Sequence, residues 1–325
     1  MPHRGQTIQK LCSDGEKMKA LILVDKLNWA YHSIAQSIAK YNHTDIQLKI
    51  QPIKGSVPAI KKIYKKYDLV FVMGWQTYEL VNFIPQEIVI SGVHSFHSWD
   101  DRKTTPDKSA TPPKKLIRFL RKFRAVNTVS DRLREAFSKN GLSSIVYTAN
   151  GVDTDIFKST CQRPLGKNII VGYSGSKAHD WRKGVSKYII PAAKKAKAGV
   201  KLAMLSTGDY IPLDKMHTFY NQLDCYVCAS SSEGMSLSVL EAAACGCPVI
   251  TTRCSGNTEI IKEGITGFFV NRKVESIADK IEMFRRDRKL LSEMSNNVAE
   301  DVKNMWGWDN RASKWMQFIE DNIYV

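Results

Sequence analysis

Two glutamates, Glu233 and Glu241, stand eight positions apart and are candidates for a binding or catalytic role. They lie in residues 230–249, SSSEGMSLSVLEAAACGCPV, which is typical of a strand end, a glycine-containing turn and a helix. A helix starting near Gly234 would place Glu233 at its amino-terminal end and Glu241 two turns further on. Free N–H groups at a helix start favour a diphosphate or the charge of a leaving group, and an ionised carboxylate accepts hydrogen bonds from sugar or ribose hydroxyls. On its own, this spacing is also common on solvated helices.

The fold around these glutamates is predicted from an alternation of strand-like apolar runs with helical segments. In the first half the runs are residues 19–24, 46–50, 68–73, 87–91, 125–129 and 144–148; in the second they are 168–173, 201–206, 223–229, 248–252 and 267–270. Such alternation predicts parallel sheets covered by helices on both faces. A length of 325 residues is enough for two domains. We therefore expect two doubly wound halves joined near residues 155–167.

The order of several short motifs is more specific than the glutamate pair alone. After Glu233 and Glu241 comes AAACGCPV at 242–249; the other motifs are NGVDTDIF at 150–157, VGYSGSKAHDWRKGV at 171–185, FYNQLD at 219–224, SGNTEIIKEGITGFFV at 255–270 and a tail from Trp308. This ordered set, which spans about residues 144–325, resembles glycosyltransferase family 4, the retaining enzymes of the GT-B type.

The resemblance implies an α/β fold of the GT-B type, with two Rossmann-like doubly wound domains facing across a cleft. Residues 1–17 are expected to be a leader or extension. Residues 18–158, completed by a C-terminal helix at 309–325, would form the acceptor-side domain. Residues 159–308 would bind the nucleotide-sugar donor.

The resemblance also implies roles for individual residues. Glu241 would bind the ribose of the donor, Glu233 would lie near the transferred sugar, and Lys183 would meet the diphosphate. His94 follows a first-domain strand where the family often has a histidine near the reacting sugar, and His97 is a rival. The catalytic candidates are thus His94, Glu233 and Lys183; the donor-binding candidates are Glu241, Arg182, Lys177, Gly175, Gly234, Met235 and Ser236.

Two departures from the family pattern affect the phosphate site. Ser176 follows Gly175 where the family usually has an arginine, and Lys177 is a candidate substitute. Residues 25–28, DKLN, stand where many members have a glycine pair. A metal site is not expected, because Asp153 and Asp155 fall in the interdomain motif.

Charge bears on the acceptor. The chain has a formal charge of +16, and residues 1–165 hold 26 basic against 14 acidic residues. Two basic segments, KKIYKK at 61–66 and KKLIRFLRKFR at 114–124, fit three interpretations: solvated helices, attachment to an anionic lipid surface, or contact with a nucleic acid. No apolar run approaches the roughly 20 residues that cross a bilayer. We expect a cytoplasmic protein, peripheral at the membrane if the basic segments bind lipid.

The resemblance implies a metal-independent retaining hexosyltransferase that moves a sugar from a nucleotide-sugar donor to a hydroxyl acceptor, either a glycan or a lipid-linked one. The donor is a co-substrate, and no further cofactor is expected. Two alternatives stay open: an acceptor in nucleic acid, such as a modified DNA base, and a nucleotide-sugar-binding module without catalysis.

Overall fold

The first half of the chain forms a six-stranded parallel sheet in the order β2-β1-β3-β4-β5-β6. The computed structural model describes residues 17–96, 111–205 and 207–324. The strands are β1 (Lys19–Val24), β2 (Gln47–Pro52), β3 (Leu69–Val72), β4 (Val89–Val93), β5 (Ala125–Thr128) and β6 (Val146–Tyr147). The helices are α1 (Ala30–Lys40), α2 (Val57–Ile63), α3 (Lys114–Leu120) and α4 (Asp131–Lys139), with 3-10 turns at Tyr64–Lys66, Trp75–Val81 and Gln86–Ile88.

The second half forms a five-stranded parallel sheet in the order β11-β10-β9-β7-β8. Its strands are β7 (Ile170–Ser176), β8 (Gly199–Leu205), β9 (Cys225–Cys228), β10 (Val249–Thr251) and β11 (Gly267–Phe269). Its helices are α5 (Asp180–Lys183), α6 (Ile190–Lys195), α7 (Met216–Asn221), α8 (Leu237–Ala244), α9 (Asn257–Ile260), α10 (Val274–Arg286) and α11 (Arg288–Met305). A π-helical turn at Val185–Ile189 and 3-10 turns at Lys177–His179 and Leu213–Lys215 complete it.

The last helix, α12 (Trp308–Ile323), returns to the first domain. Its apolar residues recur every three or four positions, so they form one stripe. Trp315 on that stripe donates a hydrogen bond from its indole N–H to the carbonyl of Ala149 at 2.8 Å, and its ring lies 6.2 Å from that of Phe71 in β3. A helix from the far end of the sequence therefore packs against the first sheet.

Both sheets share one topology, in which the first strand of the half lies between its second and third strands. Parallel crossovers are right-handed, so α1 covers one face of the first sheet and α2, α3 and α4 cover the other. α12 packs beside α1. The predicted fold, two Rossmann-like parallel sheets, is confirmed.

Some predicted bounds are wrong. The basic helix expected over 114–124 ends at Leu120, because residues 121–123 form a turn before β5. The helix expected from about Gly234 begins at Leu237. The proposed leader, apart from Lys17, and His97 lie outside the described residues.

Candidate active site at the domain junction

The reversal of strand order in the second sheet brings the predicted site residues together. Ligands of open α/β sheets bind beyond the carboxyl ends of the strands, at the point where the strand order reverses. In this sheet the point lies between β7 and β9. The chain leaving β7 carries Arg182 and Lys183 on α5, and the chain leaving β9 carries Glu233. The fold therefore places two cations and a carboxylate at one sheet edge.

Glu233 is buried, with 8% of its surface exposed, and binds both cations. Its Oε1 accepts hydrogen bonds from Lys183 Nζ and, at 2.6 Å, from the hydroxyl of Ser230. Its Oε2 lies 3.5 Å from a guanidinium nitrogen of Arg182. Burial alone would raise the pKa of Glu233, but the charges of Lys183 and Arg182 outweigh burial and lower it to about 2. The carboxylate is therefore ionised and already held by two cations.

Arg272 holds the backbone of this cluster in place, and no sequence motif indicates this role. Its guanidinium donates to the carbonyl of Ala229 at 2.8 Å and to that of Arg182 at 2.7 Å, and it lies 4.8 Å from the ring centre of Tyr188. Gly184, directly after Lys183, has φ +73°, and a Cβ there would lie 2.6 Å from the Tyr188 ring. Glycine is therefore required at this turn, which directs Lys183 to Glu233.

Three buried polar atoms beside the cluster lack hydrogen-bond partners within the described parts of the chain. They are the hydroxyl of Tyr173, Nε of Arg182 and the hydroxyl of Ser232. The Tyr173 hydroxyl comes within 2.3 Å of where a Cβ on Gly175 would lie, so it is next to the end of β7. Buried donors normally have partners, so three together indicate a ligand that supplies acceptor atoms.

Gly234 forms the direct contact between the domains at this site. It bridges to Ser95, just beyond β4, in antiparallel fashion, and its carbonyl accepts from the N–H of Gly256 at 2.7 Å. A Cβ on Gly234 would lie 1.8 Å from the carbonyl oxygen of His94. Because residue 234 is held in this extended contact, α8 starts three residues later than its sequence pattern predicts. Glu233 consequently lies in a loop and not at a helix start.

A second polar contact joins the domains. The hydroxyls of Ser130 and Ser255 lie 2.6 Å apart. Glu259 accepts from the N–H of Asp131 at 2.9 Å and from the hydroxyl of Tyr147 at 2.6 Å. Burial raises the pKa of Glu259 above its ordinary value. These bonds keep the two domains together on the side of β5 and β6.

His94 lies on the first-domain side of the junction. Its ring centre is 5.0 Å from that of Tyr31 and 5.9 Å from that of Trp315. Both ring nitrogens are buried, and neither finds a partner among the described residues. Burial lowers the pKa of His94 to about 3, so the ring is neutral and retains one donor and one acceptor for a ligand.

Glu241 faces a cavity of about 530 Å³ between the domains. Its Oε2 accepts from the hydroxyl of Tyr220 at 2.8 Å, and that hydroxyl lies 2.8 Å from the hydroxyl of Ser174 in β7. Burial raises the pKa of Glu241 to about 7, and the hydrogen bond from Tyr220 opposes the rise. Tyr220 and Ser174 belong to motifs recognised in the sequence, but only the fold shows that they connect Glu241 to the end of β7.

The remaining predicted residues lie around this centre. Lys177 is exposed, and Glu233 is contacted by Lys183 and Arg182 instead. Met235 is buried against Gly256. The hydroxyl of Ser236 lies 3.0 Å from that of Ser238. The geometry brings most of the predicted set together, while the role of each residue stays a prediction.

The two parallel α/β sheets have the arrangement of the GT-B class of glycosyltransferase folds. Residues 157–301, the part of the chain that contains the cluster, match the family model described as glycosyl transferases group 1. This match agrees with the family 4 resemblance carried by the motifs, and the predicted glycosyltransferase resemblance is confirmed.

Individual relatives support the same class. The capsular polysaccharide biosynthesis glycosyltransferase CapM of Staphylococcus aureus is 25% identical over 213 residues, which cover 57% of this chain and 55% of CapM. Across CapM and seven further curated relatives, the aligned segments cover between 11% and 55% of the relative's length.

Two solved structures share the fold over most of the chain. The sucrose-phosphate synthase of Thermosynechococcus elongatus superposes with a TM-score of 0.72 at 16% identity, covering 94% of this chain and 99% of that one. The Anabaena Alr3699/HepE protein, crystallised with UDP-glucose, has a TM-score of 0.71 at 16% identity, covering 94% and 100%. At this identity the likeness is one of fold.

Proposed function

We propose that this protein is a retaining glycosyltransferase that moves a hexosyl group from a nucleotide-sugar donor to a hydroxyl acceptor. The observation that carries the proposal is the ion cluster of Glu233, Lys183 and Arg182 beside buried donors without partners. The diphosphate of a nucleotide-sugar would supply oxygen atoms that accept hydrogen bonds from these buried N–H and O–H groups. The UDP-glucose bound to the Alr3699/HepE protein supports a nucleotide-sugar donor for this fold.

Lys183 and Arg182 stabilise the charge that grows on the departing phosphate. Preorganised cations at such a position lower the barrier to transfer, so the site requires no metal ion. Glu233 accepts hydrogen bonds from hydroxyls of the transferred sugar, and neutral His94 bonds to the same sugar from the first domain. Glu241 binds the ribose hydroxyls.

In the proposed transfer, the acceptor oxygen forms a bond to the anomeric carbon on the face that the phosphate leaves. The bond between the anomeric carbon and the phosphate oxygen breaks, and its electron pair stays on the phosphate. The acceptor's hydroxyl proton passes to that phosphate, so charge and atoms balance. The contact of Gly234 with the first domain limits access of water, which would otherwise hydrolyse the donor.

A basic surface on the first domain supports an acceptor carried on an anionic lipid membrane. α2, the turn at Trp75–Val81 and α3 lie on one face of the sheet, and Phe119 of α3 joins them through its contact with Tyr78. Leu80 is 58% exposed amid this surface. The exposed basic residues of this surface, which includes the 3-10 turn at Tyr64–Lys66 and the turn after α3, are Lys61, Lys62, Lys65, Lys66, Lys114, Lys115, Arg118, Arg121 and Lys122. Each basic residue near an anionic membrane contributes about 1 kcal/mol of attraction. No described helix is long and apolar enough to cross a membrane.

A donor screen tests the transferase. Binding by calorimetry and slow donor hydrolysis are measured with UDP-, GDP-, ADP- and dTDP-sugars on the wild type, on Glu233→Gln and on the exposed control Glu79→Gln. One donor should bind and turn over, and Glu233→Gln should lose most of the turnover while Glu79→Gln keeps it. Binding without turnover would instead identify a non-catalytic module, and no binding would refute the proposal.

Vesicle sedimentation tests the basic surface. A Lys62→Glu/Lys66→Glu variant should bind anionic vesicles less tightly than the wild type, whereas a Lys194→Glu/Lys303→Glu variant, changed equally in charge on the second domain, should bind as the wild type does. Salt should weaken binding in every case. Binding to duplex DNA but not to vesicles would overturn the lipid assignment in favour of a nucleic-acid acceptor.

A further inference from the structure

The cavity beside Glu241 has walls from both domains. Leu237 and Glu241 of α8 and the loop through Tyr210 and Leu213 form the second-domain wall. Residues of α1 form the first-domain wall, and the interdomain motif closes one end through Asp153. A volume of about 530 Å³ falls within the range of small-molecule sites, roughly 300–1,000 Å³. A ligand that fills the cavity therefore touches both domains at once.

The second-domain wall and one end of the cavity expose apolar side chains to it. Tyr210 is 54% exposed, Leu213 is 46% exposed, and Ile156 at the interdomain end is 47% exposed. Large apolar side chains cost free energy when exposed to water, and three of them gather around one cavity. This wall suits a flat ring that is largely apolar on its faces.

The opposite wall is polar. Ser33, Gln36 and Ser37 are spaced so that they share one face of α1, and all three line the cavity. Gln36 is exposed, and its amide makes no hydrogen bond to any described residue. Lys40, one turn further along, is held by Asp153 at 2.6 Å. Gln36 is thus a side chain on this wall with a donor and an acceptor left over.

We propose that this cavity holds the nucleoside of the donor and that Gln36, on the first domain, reads the polar edge of the base. This inference rests on the proposed function and adds to it a determinant of donor choice that lies outside the donor-binding domain. Glu241 holds the ribose at one side, so the base extends into the cavity. Its faces pack on Tyr210 and Leu213, and its edge meets the amide of Gln36.

The arrangement explains a departure in the sequence. The loop at residues 25–28 lacks the glycine pair expected near the donor phosphates, and Asn28 from this loop lines the same cavity. In the proposed complex, Asn28 of this first-domain loop therefore borders the nucleoside together with Gln36. A nucleotide recognised by both domains would also favour the arrangement in which the domains lie together, as they do in this structure.

Calorimetry with the free nucleotides UDP, GDP, ADP and dTDP tests the inference. The proteins compared are the wild type, Gln36→Ala and Gln47→Ala, which changes another exposed glutamine, on β2 of the same domain. Loss of one neutral hydrogen bond should weaken the preferred nucleotide about 2- to 10-fold in Gln36→Ala and reduce its margin over the other three. Gln47→Ala should match the wild type.

A Tyr210→Ala variant separates the two walls. It should weaken all four nucleotides by a similar factor, about fivefold or more, because stacking on a ring does not depend on the base. If the wild type binds a nucleotide but Gln36→Ala leaves affinity and preference unchanged, the first-domain contact is refuted and the proposed function stands. If the wild type binds none of the four, both are refuted.

Discussion

Replacing Glu241 by glutamine should stabilise the protein at alkaline pH while impairing nucleotide binding. The ordinary pKa of a glutamate is 4.5, and burial raises that of Glu241 to about 7. Below pH 4.5 the carboxyl is mostly protonated in both the folded and the unfolded chain, so its ionisation does not change the free energy of unfolding. As the pH rises from 4.5 to 7 the unfolded chain ionises first and gains stability over the folded one.

The size of this effect follows from the same interval. A difference of about 2.5 pH units, at about 1.4 kcal/mol each, is worth about 3 kcal/mol above pH 7. Water in the cavity reduces it, so we expect Glu241→Gln to be about 1–3 kcal/mol more stable than the wild type at pH 8. Glutamine keeps an oxygen for the hydroxyl of Tyr220, so this hydrogen bond is retained.

Urea unfolding at pH 4 and pH 8 measures the prediction, with the exposed Glu79→Gln as control. The gain in the free energy of unfolding of Glu241→Gln over the wild type should appear at pH 8 and vanish at pH 4. Glu79→Gln should show no gain at either pH. Nucleotide affinity of the wild type should also rise from pH 6 to pH 8, as the carboxylate ionises and becomes a stronger acceptor, and should stay flat in Glu241→Gln. If Glu241→Gln is no more stable than the wild type at pH 8, burial of the Glu241 carboxylate does not destabilise the folded protein.

Two further predictions concern the junction. Lys183→Ala leaves the buried carboxylate of Glu233 paired with Arg182 and should lower the free energy of unfolding in urea by about 3–5 kcal/mol. Lys139→Ala removes one partner of an exposed ion pair and should lower it by less than about 0.5 kcal/mol. Equal losses in the two variants would contradict the attribution of the difference to burial. Gly234→Ala places a Cβ 1.8 Å from the carbonyl oxygen of His94, so it should force the domains apart, enlarge the radius of gyration in solution scattering and reduce donor hydrolysis more than about tenfold. Gly166→Ala, where no atom lies within 4 Å, should change neither quantity.

Strands such as β1, β3 and β9 were predictable because each is short, apolar and bounded by polar or turn residues. β3 is an example: its four residues, Leu69–Val72, are all buried, and the pattern DLVFVM at 68–73 indicates them directly. Helix bounds were less accurate where tertiary contacts decide them. The pattern from Gly234 is helical, yet the pairing of Gly234 with Ser95, 139 positions earlier in the chain, prevents the helix from starting there. Such a contact leaves no local trace in the sequence.

The site was predictable as a set of residue types but not as a set of partners. The motifs named Glu233, Lys183 and Glu241, and the fold brings the first two into contact. They did not indicate that Arg272 would hold the carbonyls behind the cluster. A long side chain that reaches across two loops depends on the fold, and no spacing rule identifies it. The same holds for Gln36, whose significance comes from the cavity it faces.

Hydrogen bonds between polar groups contribute to the contact between the two domains. On one side the domains meet through the Ser130–Ser255 pair and the two hydrogen bonds to Glu259. Each hydrogen bond contributes a net stability of about 0.5–1.5 kcal/mol, so these three together add a few kcal/mol to the contact between the domains. In the proposed complex, a nucleotide bound to Glu241 of one domain and to Gln36 of the other would add contacts of similar size between the domains. Donor binding would then favour the arrangement in which the domains lie together, because a ligand favours a conformation by its differential affinity for it. In the proposed reaction, this junction would hold Glu233, Lys183 and His94 near the reacting sugar and would limit the access of water.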